Sequence, residues 1–277
     1  MTTELDGRRA VVTGAASGIG RELARRLAAM GHVVVGTDVN EAGLAETRDG
    51  AMAAEGRLHV RAHDVRDAAA WAALIADVEA QHGPLTHLFN VAGVLRVGHV
   101  WDVTPADVDL HVDVNVKGVM YGTAAAVTAM RPHARGHIVN VASLAGLAAV
   151  PGLTLYSGSK FAVRGFSLAA ARELTALGIA LTVVCPDAVE TPMLDIQVDR
   201  PEARLTFSGD RSLTVTEVVD AIVTTVMHDR PLEIALPPSR GTLAKVSSLV
   251  PGLSAKLMPY LLRRGEARQR AARGGRG

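Results

Sequence analysis

The chain has 277 residues, 48% of them hydrophobic and 21% charged, a balance that leaves ample apolar material for a core. No uninterrupted apolar run approaches the roughly 20 residues that cross a bilayer, aromatics at 3% are too sparse for a base-stacking platform, and the single Cys185 cannot close an internal disulfide. The net charge of +1 conceals an asymmetry, because residues 240–277 hold nine Lys or Arg against the one acid Glu266, and the mildly acidic remainder argues against broad nucleic-acid binding. The start, Met1–Arg9, is polar and shows no secretory signal, so a cytoplasmic setting is expected.

Short β-branched runs then alternate with Ala-rich amphipathic stretches. Ala10–Thr13 reads as a buried strand, followed by a helix from about Ile19 to Met30 and a second strand at His32–Thr37. Further strands are expected at Leu58–His63, Leu85–Asn90, His137–Ser143, Ala180–Cys185 and Glu233–Leu236, with helices near 41–54, 67–81, 104–130, 156–177 and 215–228. Gly31, Gly56, Gly83 and Gly178 stand where each helix gives way to the next strand. The alternation predicts an α/β fold: one doubly wound, parallel, seven-stranded Rossmann-like sheet of order 3-2-1-4-5-6-7, occupying residues 1–240.

The rhythm stops in the C-terminal extension, 241–277. Pro251 and Pro259 interrupt the apolar positions Leu243, Val246, Leu249, Leu253, Leu257 and Leu261, which predicts two short helices. From Arg263 onward Arg, Gly and Ala dominate and disorder is expected. Three readings of this basic tail stay open: a solvated end, peripheral docking on acidic lipid heads, or a flap folded over a cleft or another subunit.

Two motifs carry chemistry. Thr13-Gly14-Ala15-Ala16-Ser17-Gly18-Ile19-Gly20 joins the first strand to the first helix. Glycines there permit a tight turn and close approach of a pyrophosphate, and the helix N-terminus offers free N–H groups. Asp38 ends the second strand, where a carboxylate can accept from an adenosine ribose and would repel a 2′-phosphate; Val39 and Ser17 supply no compensating cation. The cofactor expected is therefore NAD(H). Tyr156 and Lys160 are four apart, which on a helix puts phenol and ammonium on one face, the charge favouring phenolate. Ser143, near the carboxyl edge of the fifth strand, could bind the same substrate oxygen. The histidines show no ligand spacing, and no metal is expected.

Taken together, these motifs resemble the short-chain dehydrogenase/reductase family in its compact single-domain form, over roughly 5–240. The resemblance implies that Gly14, Ser17, Gly18, Ile19 and Gly20 form the cofactor turn, with Asp64 and Val65 beside the adenine. It implies that Asn90, Ala92 and Gly93 flank the cofactor and that Asn115 supports a water in a proton relay. Ser143 would orient substrate and Tyr156 act as general acid/base, while Lys160 would hold the nicotinamide ribose. Pro186, Val189 and Thr191 would grip the carboxamide. Two residues depart from the family pattern: Val91 replaces a second asparagine, and Asp187 follows Pro186 where glycine is common. Asp187 is either a turn acid or a shaper of the nicotinamide and substrate surroundings. The implied activity is hydride transfer between NAD(H) and a secondary alcohol or ketone, with a hydrophobic substrate and a homodimer or homotetramer built on helices 104–130 and 156–177. The alternatives are an NADP(H)-dependent ketoreductase and a non-catalytic nucleotide-binding sensor or membrane-docked protein. Pocket residues are expected at Val94, Leu95, Arg96, Ala145, Leu147, Gly152 and the 188–214 loop.

Overall fold

The structure, a computed structural model, describes residues 8–51 and 56–274, the side chains of 253 and 254 excepted. The polar start at 1–7, the end of the expected second helix at 52–54 and the tail's last three residues lie outside the described residues.

Strand and helix alternate in chain order: β1 (Arg9–Thr13), α1 (Gly18–Ala29), β2 (Val33–Asp38), α2 (Glu41–Asp49), β3 (Leu58–Ala62), α3 (Ala68–His82) and β4 (His87–Asn90). Next come α4 (Pro105–His111), a π-helical turn over Val112–Lys117, α5 (Gly118–Met130), β5 (Gly136–Val141), α6 (Thr154–Thr175), β6 (Ile179–Pro186) and α7 (Pro192–Val198). After a 3-10 stretch at Pro201–Ser208 the chain runs through α8 (Val215–Ala221), α9 (Met227–Asp229), β7 (Glu233–Leu236), α10 (Pro238–Leu249) and α11 (Pro251–Gly274). All neighbouring strands are parallel and the sheet order is β3-β2-β1-β4-β5-β6-β7, as the sequence predicts.

Both faces of a parallel sheet must be covered. On one face Leu23 and Leu27 of α1 pack with Val218 and Ile222; on the other, Trp71 and Leu74 of α3 pack with Met130 and Leu174. The order reverses between β1 and β4, so their carboxyl ends part and open a crevice. Side-chain caps fix where helices begin: Asn40 accepts from Gly43 N–H, Asp67 from Ala69 and Ala70 N–H, and Thr214 forms a reciprocal box with Glu217.

The C-terminal region differs from expectation. The helix breaks at Pro251 as predicted, but it continues through Pro259, and the stretch past Arg263 read as disordered is its second half. The reason is its polar partners. Gln269, buried, donates to the carbonyls of Gln197 and Arg200 at 2.8 and 2.7 Å, and Arg273 Nε donates to the Val198 carbonyl at 2.7 Å. These carbonyls lie at and just beyond the end of α7, where helices leave acceptors unsatisfied.

Candidate functional site

A cleft of about 1070 Å³ lies along the carboxyl edge of the sheet. At one end is the turn after β1. Gly14 and Gly18 have φ of 70° and 50°, and a Cβ on Gly20 would stand 2.2 Å from the Gly14 carbonyl oxygen. Only glycine permits this packing of helix on turn. A Cβ at Gly14 would sit 2.9 Å from the backbone of Ala92, so the β1 and β4 segments nearly touch. Thr13, to which the sequence reading assigned no role of its own, ties them: its hydroxyl accepts from the N–H groups of Val91 and Ala92 at 3.0 and 3.1 Å.

Asp38 is fixed by two backbone donors, Ala16 N–H at 3.2 Å and Asn40 N–H at 3.0 Å, and faces the cleft. Asp64 also lines the cleft, and its hydrogen bonds from Arg66 hold the carboxyl below its ordinary range. Among the described residues four Lys or Arg side chains reach the cleft and each has a partner: Arg66 with Asp64, Arg240 with Asp187, Arg264 with Asp210, and Lys160 with the Val141 carbonyl.

Ser143, Tyr156 and Lys160 line the same cleft. β5 ends at Val141, so Ser143 lies just past the strand, where its hydroxyl accepts from Ala145 N–H at 3.1 Å and caps a short turn. Lys160 Nζ donates to the Val141 carbonyl at 2.9 Å and lies 5.6 Å from the centre of the Tyr156 ring. Burial pushes the Tyr156 phenol up to about 12, with a hydrogen bond to Ser143 pulling it back and Cys185 adding to the rise. Burial likewise brings the Lys160 ammonium down to about 8. The lowering of the phenol expected from Lys160 does not appear: desolvation sets the direction, and the downward pull comes from Ser143.

Ser17, Ile19, Val65, Gly93, Pro186, Val189 and Thr191 line the same cleft. Thr191 approaches Gly18 so closely that a Cβ there would meet its methyl at 3.0 Å. Asn90 and Asn115 do not line it. Asn90 donates to Asn140 Oδ1 at 2.8 Å within a buried polar cluster. Asn115 sits in the π-helical turn, which aims its amide at the β4 loop: Oδ1 accepts from Val94 N–H at 2.8 Å, and Nδ2 donates to the Val94 carbonyl and to Ser159 Oγ at 2.9 and 3.0 Å. Of the expected pocket residues, Val94, Leu95 and Ala145 line the cleft, whereas Arg96, Leu147 and Gly152 do not. Leu147 packs into the core instead. Sequence reading also left undecided that α10 and α11 roof the cleft through residues such as Leu243, Ser247, Leu257 and Leu261. The flap reading of the tail named that course; the polar contacts that hold it had no apolar signature.

A glycine turn and fixed acid at the switch point of a doubly wound sheet, with phenol, ammonium and hydroxyl on one wall, define a dinucleotide-binding oxidoreductase. The model of the short chain dehydrogenase family matches residues 8–201, and the chain belongs to that family of oxidoreductases acting on alcohols and ketones. It is 35% identical over 236 residues to "Oxidoreductase UcpA" of Salmonella typhimurium, covering 83% of this chain and 86% of that one. It is 36% identical over 196 residues to a 3-alpha-(or 20-beta)-hydroxysteroid dehydrogenase of Mycobacterium tuberculosis, covering 70% and 74%. Among solved structures, a short-chain dehydrogenase/reductase from Burkholderia phymatum in complex with NAD superposes with a TM-score of 0.80 at 30% identity, covering 91% of this chain and 97% of that one. An actinorhodin polyketide ketoreductase with NADPH gives 0.77 at 31% identity, covering 87% and 99%. Among the described residues no group of His, Cys, Asp or Glu is arranged to hold a metal ion, and no helix is long and apolar enough to cross a membrane.

Proposed function

We propose that the chain transfers hydride reversibly between NAD(H) and a hydrophobic secondary alcohol or ketone. The observation that carries this reading is the convergence of Ser143, Tyr156 and Lys160 on the wall of a cleft whose other end holds the glycine turn and Asp38. The cradle suits a dinucleotide, since its backbone leaves no room for Cβ atoms at Gly14 or Gly20. Gly14, Ser17, Gly18, Ile19 and Gly20 would hold the pyrophosphate, and Asp64, Val65, Ala92 and Gly93 the adenosine side. Pro186, Val189 and Thr191 would hold the nicotinamide end. The bound dinucleotide supplies or accepts the hydride. Tyr156 holds the proton at its phenolic oxygen and exchanges it with the substrate oxygen, Ser143 orients that oxygen by a hydrogen bond, and Lys160 keeps a positive charge beside the phenol. Asn115 acts at one remove by clamping Val94.

Preference for NAD(H) over NADP(H) rests on Asp38, which would repel a 2′-phosphate, and on the pairing of the cleft arginines Arg66, Arg240 and Arg264 with carboxylates; Lys160, beside Tyr156, keeps its charge for the phenol. In this reading residues 1–240 carry the chemistry, and the C-terminal extension that begins at 241 roofs the substrate through α10 and α11. Exposed Val108 of α4, Val112 of the π-helical turn and Phe161 of α6 support a dimer or tetramer through these elements. The buried, unpaired Cys185 is compatible with a reducing cytoplasmic setting. Titration with NADH and NADPH should give at least about tenfold tighter NADH binding. Turnover of a secondary-alcohol panel with NAD should fall roughly 10²–10⁴-fold in Tyr156→Phe. Preference for NADPH would overturn the Asp38 argument, and binding without turnover would favour a sensor.

A further inference from the structure

Asp187 stands directly after Pro186, between β6 and the segment that carries Val189 and Thr191 along the cleft. Its N–H donates to the Leu236 carbonyl at 2.7 Å, so the neighbouring β7 fixes its backbone. The side chain reaches out of the sheet to the roof. Asp187 Oδ2 accepts from Arg240 Nε of α10 at 2.8 Å, and Arg240 Nη2 donates to Ser208 Oγ at 3.3 Å. The two side chains are only 13% and 24% exposed. Gly209 closes over them, since a Cβ there would lie 3.3 Å from Asp187 Oδ2 and 3.6 Å from Arg240 Nε. One ion pair therefore joins three segments: the end of β6, the 208–209 loop and the first turns of α10.

Position gives this pair its importance. Arg240 sits one helical turn before Leu243, which points into the cleft. Leu257 and Leu261 of α11 complete the apolar part of the roof. A shielded pair that loses one member leaves the other charge without its partner, which costs more than the same loss on open surface. Asp187 is also neutralised by its partner, so a bare carboxylate field on the nicotinamide is not what the geometry offers.

We propose that Asp187 and Arg240 are positioning residues that set substrate selectivity: their ion pair locks α10 to the cofactor-side segment and holds the roof over the substrate half of the cleft. The selectivity part of this inference rests on the oxidoreductase reading above. Two measurements on the full chain test it, with the variants Asp187→Asn, Arg240→Gln and the exchanged double variant Asp187→Arg/Arg240→Asp. The first is amide hydrogen exchange over α10. Both single variants should exchange about tenfold faster there (about 1.4 kcal/mol), with β4 and β5 amides unchanged as the sign of an intact fold. The second is KM and kcat over secondary alcohols of increasing apolar bulk. Both single variants should raise KM for bulky alcohols about tenfold while leaving kcat and the smallest alcohol within about twofold, and the exchanged pair should recover in both measurements. Unaltered α10 exchange in the single variants overturns the proposal whether or not any alcohol turns over. So does a loss independent of substrate bulk. A change in Asp187→Asn that Arg240→Gln does not share would assign the effect to the carboxylate charge alone. Absence of wild-type turnover with accelerated α10 exchange would instead sink the oxidoreductase reading and leave the lock standing.

Discussion

Lys160 carries its charge in an almost closed environment, 3% exposed, with the Val141 carbonyl as its hydrogen-bond partner and the Tyr156 ring beside it. Burial brings the ammonium to about 8, well below its ordinary 10.5, so it is charged at neutral pH and loses its proton just above. With Tyr156 as the proton donor proposed above, ketone reduction would draw a proton from a phenol that burial holds near 12, and the phenolate left behind would need the ammonium. The pH profile of kcat/KM for reduction should therefore be level from about pH 6 to 7.5 and fall above about 8. In Lys160→Arg, whose side chain stays protonated past about 12, the falling limb should move upward even if the rate drops. The phenol–ammonium pair is legible from a four-residue spacing, because helical geometry alone puts the two side chains on one face. The depth of the phenol's burial is not: it depends on Leu95 and Ala203 arriving from distant parts of the chain.

At the scale of elements, α11 shows what apolar periodicity misses. Gly265, Gln269 and Arg273 recur every four residues along one face, a helical stripe made of a glycine, an amide and a cation. Gly265 lies against the 3-10 stretch so closely that a Cβ would stand 2.0 Å from the Arg204 carbonyl oxygen. Arg268 donates to the Gly209 carbonyl, and Arg264 pairs with Asp210. Pattern reading looks for leucines at such intervals and finds Arg, Gly and Ala, hence the expectation of disorder. The β-strands, by contrast, announce themselves, since a sheet covered on both faces needs continuous apolar runs. The π-helical turn at Val112–Lys117 also escapes pattern reading, because one extra residue per turn leaves no compositional mark. Substitution Gly265→Val should separate α11 from residues 201–208. Limited trypsin digestion should then cut at Arg268 and Arg270 at least about tenfold faster, with the melting temperature of the sheet domain shifted by no more than about 2 °C.

Across the whole molecule the two edges of the sheet have opposite character. The carboxyl edge is the cleft; the amino edge buries His32, His87 and His137, each at most 5% exposed. His87 bonds Thr86 at 2.9 Å and His137 bonds Thr182 at 3.0 Å. Burial depresses all three, His137 to about 3, and Arg8 acts in the same direction. A depressed folded-state pKa means that the unfolded chain takes up the protons first. The stability is present above the unfolded value near 6.5 and is lost as pH falls through the window below it. Between pH 6.5 and 5, His137 alone should account for roughly 2 kcal/mol. Melting temperature measured from about pH 7.5 to 5 should drop accordingly, and His137→Gln should flatten the slope even where it lowers the plateau. The far end of the chain meets the body in another manner. Gln269, Arg268 and Arg273 take hold of main-chain carbonyls at Gln197, Val198, Arg200 and Gly209. Every residue type presents the same carbonyl, so this grip is blind to the side chains beneath it. Ser208 and Asp210 are the exceptions, since their side chains bond Arg240 and Arg264 of the roof; the other cleft-facing residues, along 192–206, can change in size and polarity beneath a cover anchored without them.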